Sequence, residues 1–301
     1  MEENKQTAKK EKFNFNYDKY YKLFFFIPLI ILLFSLVYLG IFYSKNGDII
    51  YKDVSLSGGT SITINGEINQ AQIEAPLKEK FSDVSFTTLT DLTTRKQIAL
   101  MIESSASSDE LKSEIENVLG YALDKENSSI EFTGASLSQD FYRQLIIALI
   151  ISFFLMSVVI FIMFRTFIPS IAVIFAIFAD IVLPLALIDY LGIKISAAGI
   201  AAFLMLVGYS VDTDILLTSR ALKSKEETLN KRIFKAFKTG SLMTLTALAA
   251  VLPAFFIVTG LPDSFRQIFL ILALGLFGDL INTWLTNASI IKWYCDRKGI
   301  K

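Results

Sequence analysis

Apolar residues in this chain run mostly in unbroken blocks rather than recurring every second or every third and fourth position. Six blocks are long enough to cross a bilayer, which takes about 20 apolar residues in a helix. They cover 23–43, 144–164, 167–188, 195–219, 240–258 and 267–291. The first is too long for the apolar core of a removable secretion signal and lacks a small-residue cleavage site, so it predicts a retained transmembrane helix. An even number of spans puts both ends of the chain on one side of the membrane.

Between the first two blocks the pattern changes. Residues 44–143 are polar, and their apolar positions follow shorter rhythms. Segments 49–54 and 61–64 read as strand, interrupted by Ser57-Gly58-Gly59-Thr60; 70–80 reads as helix; 84–89 and 97–103 alternate as strands do. Ser107-Ser108-Asp109-Glu110 opens a second helix with Leu111, Ile115, Val118 and Leu119 on one face, and 129–133 is a last short strand. The order β-α-β-β-α-β is that of a ferredoxin-like domain, two helices on one antiparallel sheet. A domain of this size can bury a modest core without disulfides. The expected architecture is an α-helical polytopic membrane protein of six spans with a ferredoxin-like α+β domain between the first two.

Composition sharpens the picture. Hydrophobic residues make up 53% of the 301 residues and charged residues only 19%, too apolar for a soluble core and surface. Twenty-nine basic and 29 acidic residues cancel, so no global charge points to nucleic acid. The single Cys excludes an intrachain disulfide and a Cys-based zinc site. The chain has no His, which removes Ser-His-Asp and Cys-His catalysis and His-ligated metals. No cofactor motif, nucleophile–base pair or metal-ligand cluster is visible, so an enzyme is not expected. Any proton relay must run on carboxylates, Lys, Tyr or water.

Basic residues set the orientation. The tail at 1–22 carries Lys5, Lys9, Lys10, Lys12, Lys19 and Lys22, and the segment after the fourth span carries Arg220, Lys223, Lys225, Lys231, Arg232, Lys235 and Lys238. The tail at 292–301 adds Lys292, Arg297, Lys298 and Lys301, whereas the short loops on the other side carry only Lys194 and Arg266. The positive-inside rule therefore places both tails in the cytoplasm and 44–143 outside it.

Four acids lie inside the apolar blocks: Asp180 in the third, Asp212 and Asp214 in the fourth, Asp279 in the sixth. An ionisable group in a span is costly unless it faces protein or water, so its default reading is functional. Asp212 and Asp214 point about 200° apart on a helix. One of them faces a central polar path and the other a neighbouring helix or a partner subunit. No Lys or Arg lies deep in a span; Lys238 sits at the mouth of the fifth and can snorkel toward the fourth. A chain of buried acids is the signature of a proton path, and static hydrogen bonding to Thr213, Thr218, Thr244 or Thr246 is its competitor. Ser57-Gly58-Gly59-Thr60 lacks the spacing of a phosphate-binding loop, and paired glycines interrupting a strand mark a bulge or a close backbone approach.

These residues carry a resemblance. Gly208-Tyr209-Ser210-Val211 followed by intramembrane Asp212 and Asp214 resembles the fourth span of the SecF branch of the SecD/SecF family, within the RND superfamily. Leu56, Gly58, Gly59 and Thr60 resemble the Leu-x-Gly-Gly-Thr stretch of that family's outer domain, and Thr133-Gly134-Ala135-Ser136-Leu137 before the second span also fits. The resemblance implies an accessory subunit of the Sec translocase. It would act late in protein export with SecD and the Sec channel on unfolded polypeptides, in the cytoplasmic membrane, using the proton gradient. The bacterial pattern has its key Asp where this chain has Thr213; the Asp-Thr-Asp form is similar to the archaeal branch. Lys238 before Thr239 stands where the bacterial fifth span has an Arg. The implied relay is Asp212 foremost, with Asp214, Asp180, Asp279 and Lys238. Half of an RND-like small-molecule or lipid exporter, or a non-transporting scaffold of the translocase, are the alternatives.

Overall fold

The computed structural model describes residues 17–91, 94–223, 227–257 and 263–300. Most of the expected N-terminal tail, with Lys5 to Lys12, as well as Lys225, Val258 and Lys301, lies outside the described residues.

Among the described residues six helices are long and apolar enough to span a membrane. They are α1 (Tyr17–Asn46), α5 (Ala135–Phe164), α6 (Phe167–Tyr190), α7 (Ala197–Lys223), α8 (Leu229–Ile257) and the sixth span, α9 (Asp263–Ile281) continued through a π-helical stretch (Asn282–Asn287) into α10 (Ala288–Lys298). A helix closes its own backbone hydrogen bonds, the condition for lying in hydrocarbon, and this tolerates Pro28, Pro184 and Pro253 inside continuous helices. The most apolar stretches of α1 and α5 are only 11% and 6% buried, against 50–56% in α6, α7 and the sixth span. The last three therefore form the centre of the bundle and α1 and α5 its lipid-facing outside. Helix α5 begins at Ala135, well before the expected 144, because the chain passes from the domain's last strand into the helix with only Gly134 between.

The inserted domain has the expected order: β1 (Gly59–Asn65), α3 (Gln70–Lys80), β2 (Ser85–Thr90), β3 (Gln97–Ser104), α4 (Ser108–Leu119) and β4 (Ser128–Thr133). The sheet runs β2-β3-β1-β4 with every neighbouring pair antiparallel. The register opposes Ile62 to Ile102 and to Ile130, and Ile64 to Leu100, so alternate residues form one apolar face. That face packs on Ile73 and Leu77 of α3 and Leu111 and Ile115 of α4, all fully buried. Ser107 caps α4 and Gly120 ends it in the left-handed region at φ 74°, a conformation that costs glycine nothing.

The segment at 49–54 is not the strand its alternation predicts. Asp53 caps a single helical turn, α2 (Val54–Ser57), and β1 starts only at Gly59. Tertiary contact overrides the local pattern: Ile50 and Leu56 are pulled into an apolar cluster with Ile188, Ile195, Ile200 and Phe203 at the ends of the third and fourth spans. Gly58 and Gly59 sit at φ 83° and 140°. A Cβ on Gly58 would lie 2.4 Å from Ala135 Cα, and one on Gly59 would lie 2.3 Å from the Ser104 oxygen. The paired glycines therefore mark a close backbone approach, and the four-residue motif docks the domain onto the spans. Thr60 completes it by donating its hydroxyl to the Ala106 carbonyl at 2.8 Å.

Candidate functional site

The apolar centre of the bundle encloses a polar cluster. Helix α6 supplies Asp180, α7 supplies Asp214 and α9 supplies Asp279, and one carboxylate oxygen from each lies within 4.8 Å of the others. All three side chains are fully buried. Each is placed by the small or polar residues of a neighbouring helix. Asp180 packs against Gly278, with its Oδ1 3.8 Å from where a Cβ on that glycine would be. Gly275 admits Leu206, which brings α7 against α9.

Hydroxyls and amides surround the acids. Asp279 Oδ1 accepts from Thr213 at 2.8 Å and lies 3.0 Å from the Thr283 hydroxyl and 3.1 Å from the Ser210 hydroxyl, and its Oδ2 accepts from Thr244 at 3.2 Å. Asp180 accepts a short bond from the Ser210 hydroxyl and one at 2.6 Å from the Asn282 amide. Asp214 Oδ1 accepts from Thr283 at 2.9 Å and from the Asn287 amide at 2.7 Å. The π-helical stretch makes this convergence possible. In an ordinary helix residues four apart drift by about 40°. The wider i→i+5 turn absorbs that drift, so Asp279, Thr283 and Asn287 reach one cluster.

Among the described residues no Lys or Arg forms an ion pair with any of the three acids. Two carboxylates 4.8 Å apart repel by about 3.5 kcal/mol at an effective dielectric of about 20. Three full charges cannot share the site, so it holds protons or a cation. The donor set is all oxygen on the acid side, which suits a proton or a hard cation. The Asp214 Oδ2, the Asn287 Oδ1 and, one turn further along α7, the Thr218 hydroxyl are buried without a hydrogen-bond partner and extend the polar line from the triad.

The structure brings together three of the four intramembrane acids. Asp212 is exposed on the opposite side of α7, on the face of Met205 and Gly208, and Lys238 is exposed on α8. Of the fourth-span motif, Ser210 enters the cluster, while Gly208 is exposed and the Tyr209 hydroxyl turns to the Met243 carbonyl at 3.1 Å. The polar residues of the sixth span, Asn282, Thr283 and Asn287, were not among the expected site residues. The signal that marks them is the spacing of Thr283 and Asn287, four and eight residues after Asp279 in an otherwise apolar block, with Asn282 beside Thr283. The sequence shows no metal-ligand cluster here, because three acids on three separate helices leave no local spacing.

The loop between α6 and α7 and the start of α7 hold the domain, and the sixth span braces that loop. Ile195, in the loop between α6 and α7, donates to the Tyr51 carbonyl at 2.6 Å and accepts from the Asp53 N–H at 3.1 Å. The Ala197 N–H donates to Ser55 Oγ at 3.0 Å, and Lys194 Nζ donates to the Asp83 carbonyl at 2.9 Å. Gln267, at the start of the sixth span, donates to the Lys194 carbonyl at 2.5 Å and accepts from the Ser196 N–H and hydroxyl at 2.9 Å. Between this seam and the uncovered face of the sheet lies a groove of about 630 Å³, lined by Ser61, Thr63, Thr87, Glu103, Ser129 and Lys194 among others.

Residues 113–297 match the family described as protein export membrane protein SecD/SecF, C-terminal. The chain belongs to the SecD/SecF family. It is 33% identical to the protein-export membrane protein SecF of Methanolacinia petrolearia over 96% of this chain and 99% of the relative. It is 35% identical to that of Methanocaldococcus jannaschii, over 92% of this chain and 96% of the relative. Among solved structures it resembles SecDF from Thermus, a translocon-associated membrane protein, with a TM-score of 0.70 and 17% identity over 93% of this chain. A super-membrane-facing form of SecDF gives a TM-score of 0.57 at 20% identity over 91% of this chain. The chain spans 38% of the length of each of those SecDF chains. At these identities the SecDF likeness shows the shared fold: six spans with a small antiparallel-sheet domain after the first. The chain is thus a multi-pass membrane protein of this family.

Proposed function

We propose that this chain is a non-enzymatic accessory subunit of the Sec protein translocase that couples the proton gradient to late steps of export, with a SecD subunit as its partner. One observation carries the mechanism: the inserted domain is hydrogen-bonded to the loop between α6 and α7 and to the start of α7, and the sixth span, which shares the acid triad with those two helices, is hydrogen-bonded to the same loop. Adding or removing one proton changes the repulsion among Asp180, Asp214 and Asp279. The spacing of α6, α7 and α9 responds, and the seam at 194–197 passes that movement to the domain through Asp53 and Ser55. Family membership supports the role, and the relatives' name, protein-export membrane protein, supports the process.

The orientation follows the basic residues, with both termini cytoplasmic and the domain outside. The groove beneath the sheet suits an emerging unfolded chain. Its Ser and Thr hydroxyls bond an extended strand without selecting side chains. Asp212 on the exposed face of α7 is where the partner covers this subunit, since a carboxylate facing lipid is costly and one facing a partner is not.

The test is export of a labelled secretory protein in cells dependent on this chain. Asp180→Asn, Asp214→Asn and Asp279→Asn are compared with the native protein at equal expression. Stalled export with the partner still bound supports the coupling; normal export by all three variants leaves a scaffold.

A further inference from the structure

Three carboxyls in a cluster can exchange protons only if something connects them, and the hydroxyls around the triad are of two kinds. Thr213 and Thr244 each touch Asp279, but their other acceptor is a main-chain carbonyl, of Ser210 and Gly240 respectively. They anchor Asp279. Ser210 and Thr283 differ, because each lies between two carboxylates. Ser210 Oγ reaches both Asp180 and Asp279, and Thr283 Oγ1 lies 3.0 Å from Asp279 and 2.9 Å from Asp214. The result is an unbroken line, Asp180–Ser210–Asp279–Thr283–Asp214, through a buried site.

A Ser or Thr hydroxyl has one proton to donate and two lone pairs to accept with. Between two carboxylates it can bond only one of them as a donor. Its second neighbour is within reach as a partner only when that carboxyl itself holds a proton and donates back. With a proton in the crowded triad, on one of the two carboxyls that flank a hydroxyl, both bonds of that hydroxyl are satisfied, one link at a time.

We propose that Ser210 and Thr283 are proton-passing links, each handing a proton between the two carboxyls it touches. In the first hop the Asp180 carboxylic acid gives its proton to Ser210 Oγ while the proton already on Oγ passes to Asp279. One O–H bond forms on the serine oxygen as another breaks. Asp180 becomes a carboxylate, Asp279 becomes a carboxylic acid and the serine stays neutral. Thr283 repeats the exchange from Asp279 to Asp214. Each hydroxyl resets by rotating about its C–O bond. The Asp214 side of the line continues toward Thr218 along α7, and the Asp180 side is bounded by Asn282.

The inference rests on the proton-coupled reading above, and the experiment separates the two. The full chain with its SecD partner is placed in liposomes holding a pH-sensitive dye, and proton entry is followed after an imposed pH gradient. The variants are Thr283→Val, Thr283→Ser, Ser210→Ala and Asp279→Asn, each checked for stoichiometric assembly. Thr283→Val replaces the hydroxyl by a methyl of similar size, so no water can take its place. The expected result is proton entry at least tenfold slower in Thr283→Val and Ser210→Ala, near-native entry in Thr283→Ser, and none in Asp279→Asn. Native entry in Thr283→Val or Ser210→Ala with none in Asp279→Asn overturns the hydroxyl links and leaves the coupled reading standing. Equal loss in Thr283→Ser and Thr283→Val also overturns them, because the hydroxyl is then not what matters. If the native complex admits no more protons than empty liposomes, or Asp279→Asn matches it, the coupled reading falls and the links fall with it. Should Ser210→Ala not assemble, the Thr283 pair decides alone.

Discussion

Thr213 on the fourth span donates its hydroxyl to Asp279 on the sixth across 2.8 Å. The position that carries an acid in the bacterial pattern thus holds a hydroxyl here, and the carboxyl it would supply arrives from the opposite helix. Interhelical hydrogen bonds in membranes contribute about 0.6 kcal/mol on average and about 1.7 at most. Thr213→Val is therefore expected to lower the unfolding free energy of the detergent-solubilised protein by about 1 kcal/mol. Thr213→Asp adds a fourth carboxyl to the cluster and is expected to cost more. The double variant Thr213→Asp with Asp279→Thr moves the acid across the interface, and a recovery of stability over Thr213→Asp alone checks the geometry.

Asp212 makes a different prediction. Its side chain is exposed on the α7 face of Met205 and Gly208. Asp212→Leu is expected to leave the melting temperature of the isolated chain unchanged and to lower the amount of SecD partner retained on purification severalfold. Unchanged partner recovery would place the contact elsewhere.

The glycine pair is tested by its contrast with Gly134. Gly59 has φ 140°, and an added Cβ would lie 2.3 Å from the Ser104 oxygen, a main-chain atom that cannot swing aside. Backbone strain of this kind costs about 1–3 kcal/mol before the clash is counted. Gly59→Ala is expected to destabilise the domain by at least about 2 kcal/mol, whereas Gly134→Ala, with nothing within 4 Å of its Cβ, is expected to change little. Proteolysis of the full chain, read at domain-specific sites, measures both.

Two acids of the seam give pH dependences of opposite sign. Asp53 is raised above its ordinary value of 3.8 because burial disfavours its charge more than the Ser55 bonds and nearby Lys194 favour it. The folded state then holds the proton more tightly than the unfolded one. Asp53 therefore contributes a stability that falls as pH rises from 3.8 through the folded value. Asn caps a helix as well as Asp, so Asp53→Asn is expected to stabilise the chain at neutral pH and remove that slope. Asp83 is half-shielded, yet the Ser105 N–H and the Ser104 and Ser105 side chains outweigh its burial and hold it below 3.8. Its contribution is present above 3.8 and is lost as pH falls through the folded value, so Asp83→Asn is expected to destabilise at neutral pH. Unfolding of the full-length variants between mildly acidic and neutral pH measures both.

Much of this architecture is local and therefore legible in the chain. Unbroken apolar blocks such as 167–188 specify a helix that lipid and other helices surround, and alternation in 97–103 specifies a strand with one buried face. Neither needs a distant partner to be recognised. The segment at 49–54 failed as a strand for the opposite reason. Its alternation is real, but Ile50 and Leu56 are claimed by residues at the ends of the third and fourth spans, far along the sequence.

The candidate site divides in the same way. That Asp180, Asp212, Asp214 and Asp279 lie in apolar blocks, and that Asp212 and Asp214 cannot face one partner, follow from composition and helical period alone. Which of the pair turns inward does not, because it depends on how α7 is rotated against α6 and α9. That rotation is fixed by packing contacts such as Gly275 with Leu206. The hydroxyl line through Ser210 and Thr283 is further still from the sequence. It requires three helices to cross at one depth and a π-helical turn to bring Thr283 and Asn287 into register with Asp279. Burial cost determines that charges in the membrane must find company; only the tertiary structure decides which company they keep, since contacts between helices are set by side-chain packing and not by spacing along the chain.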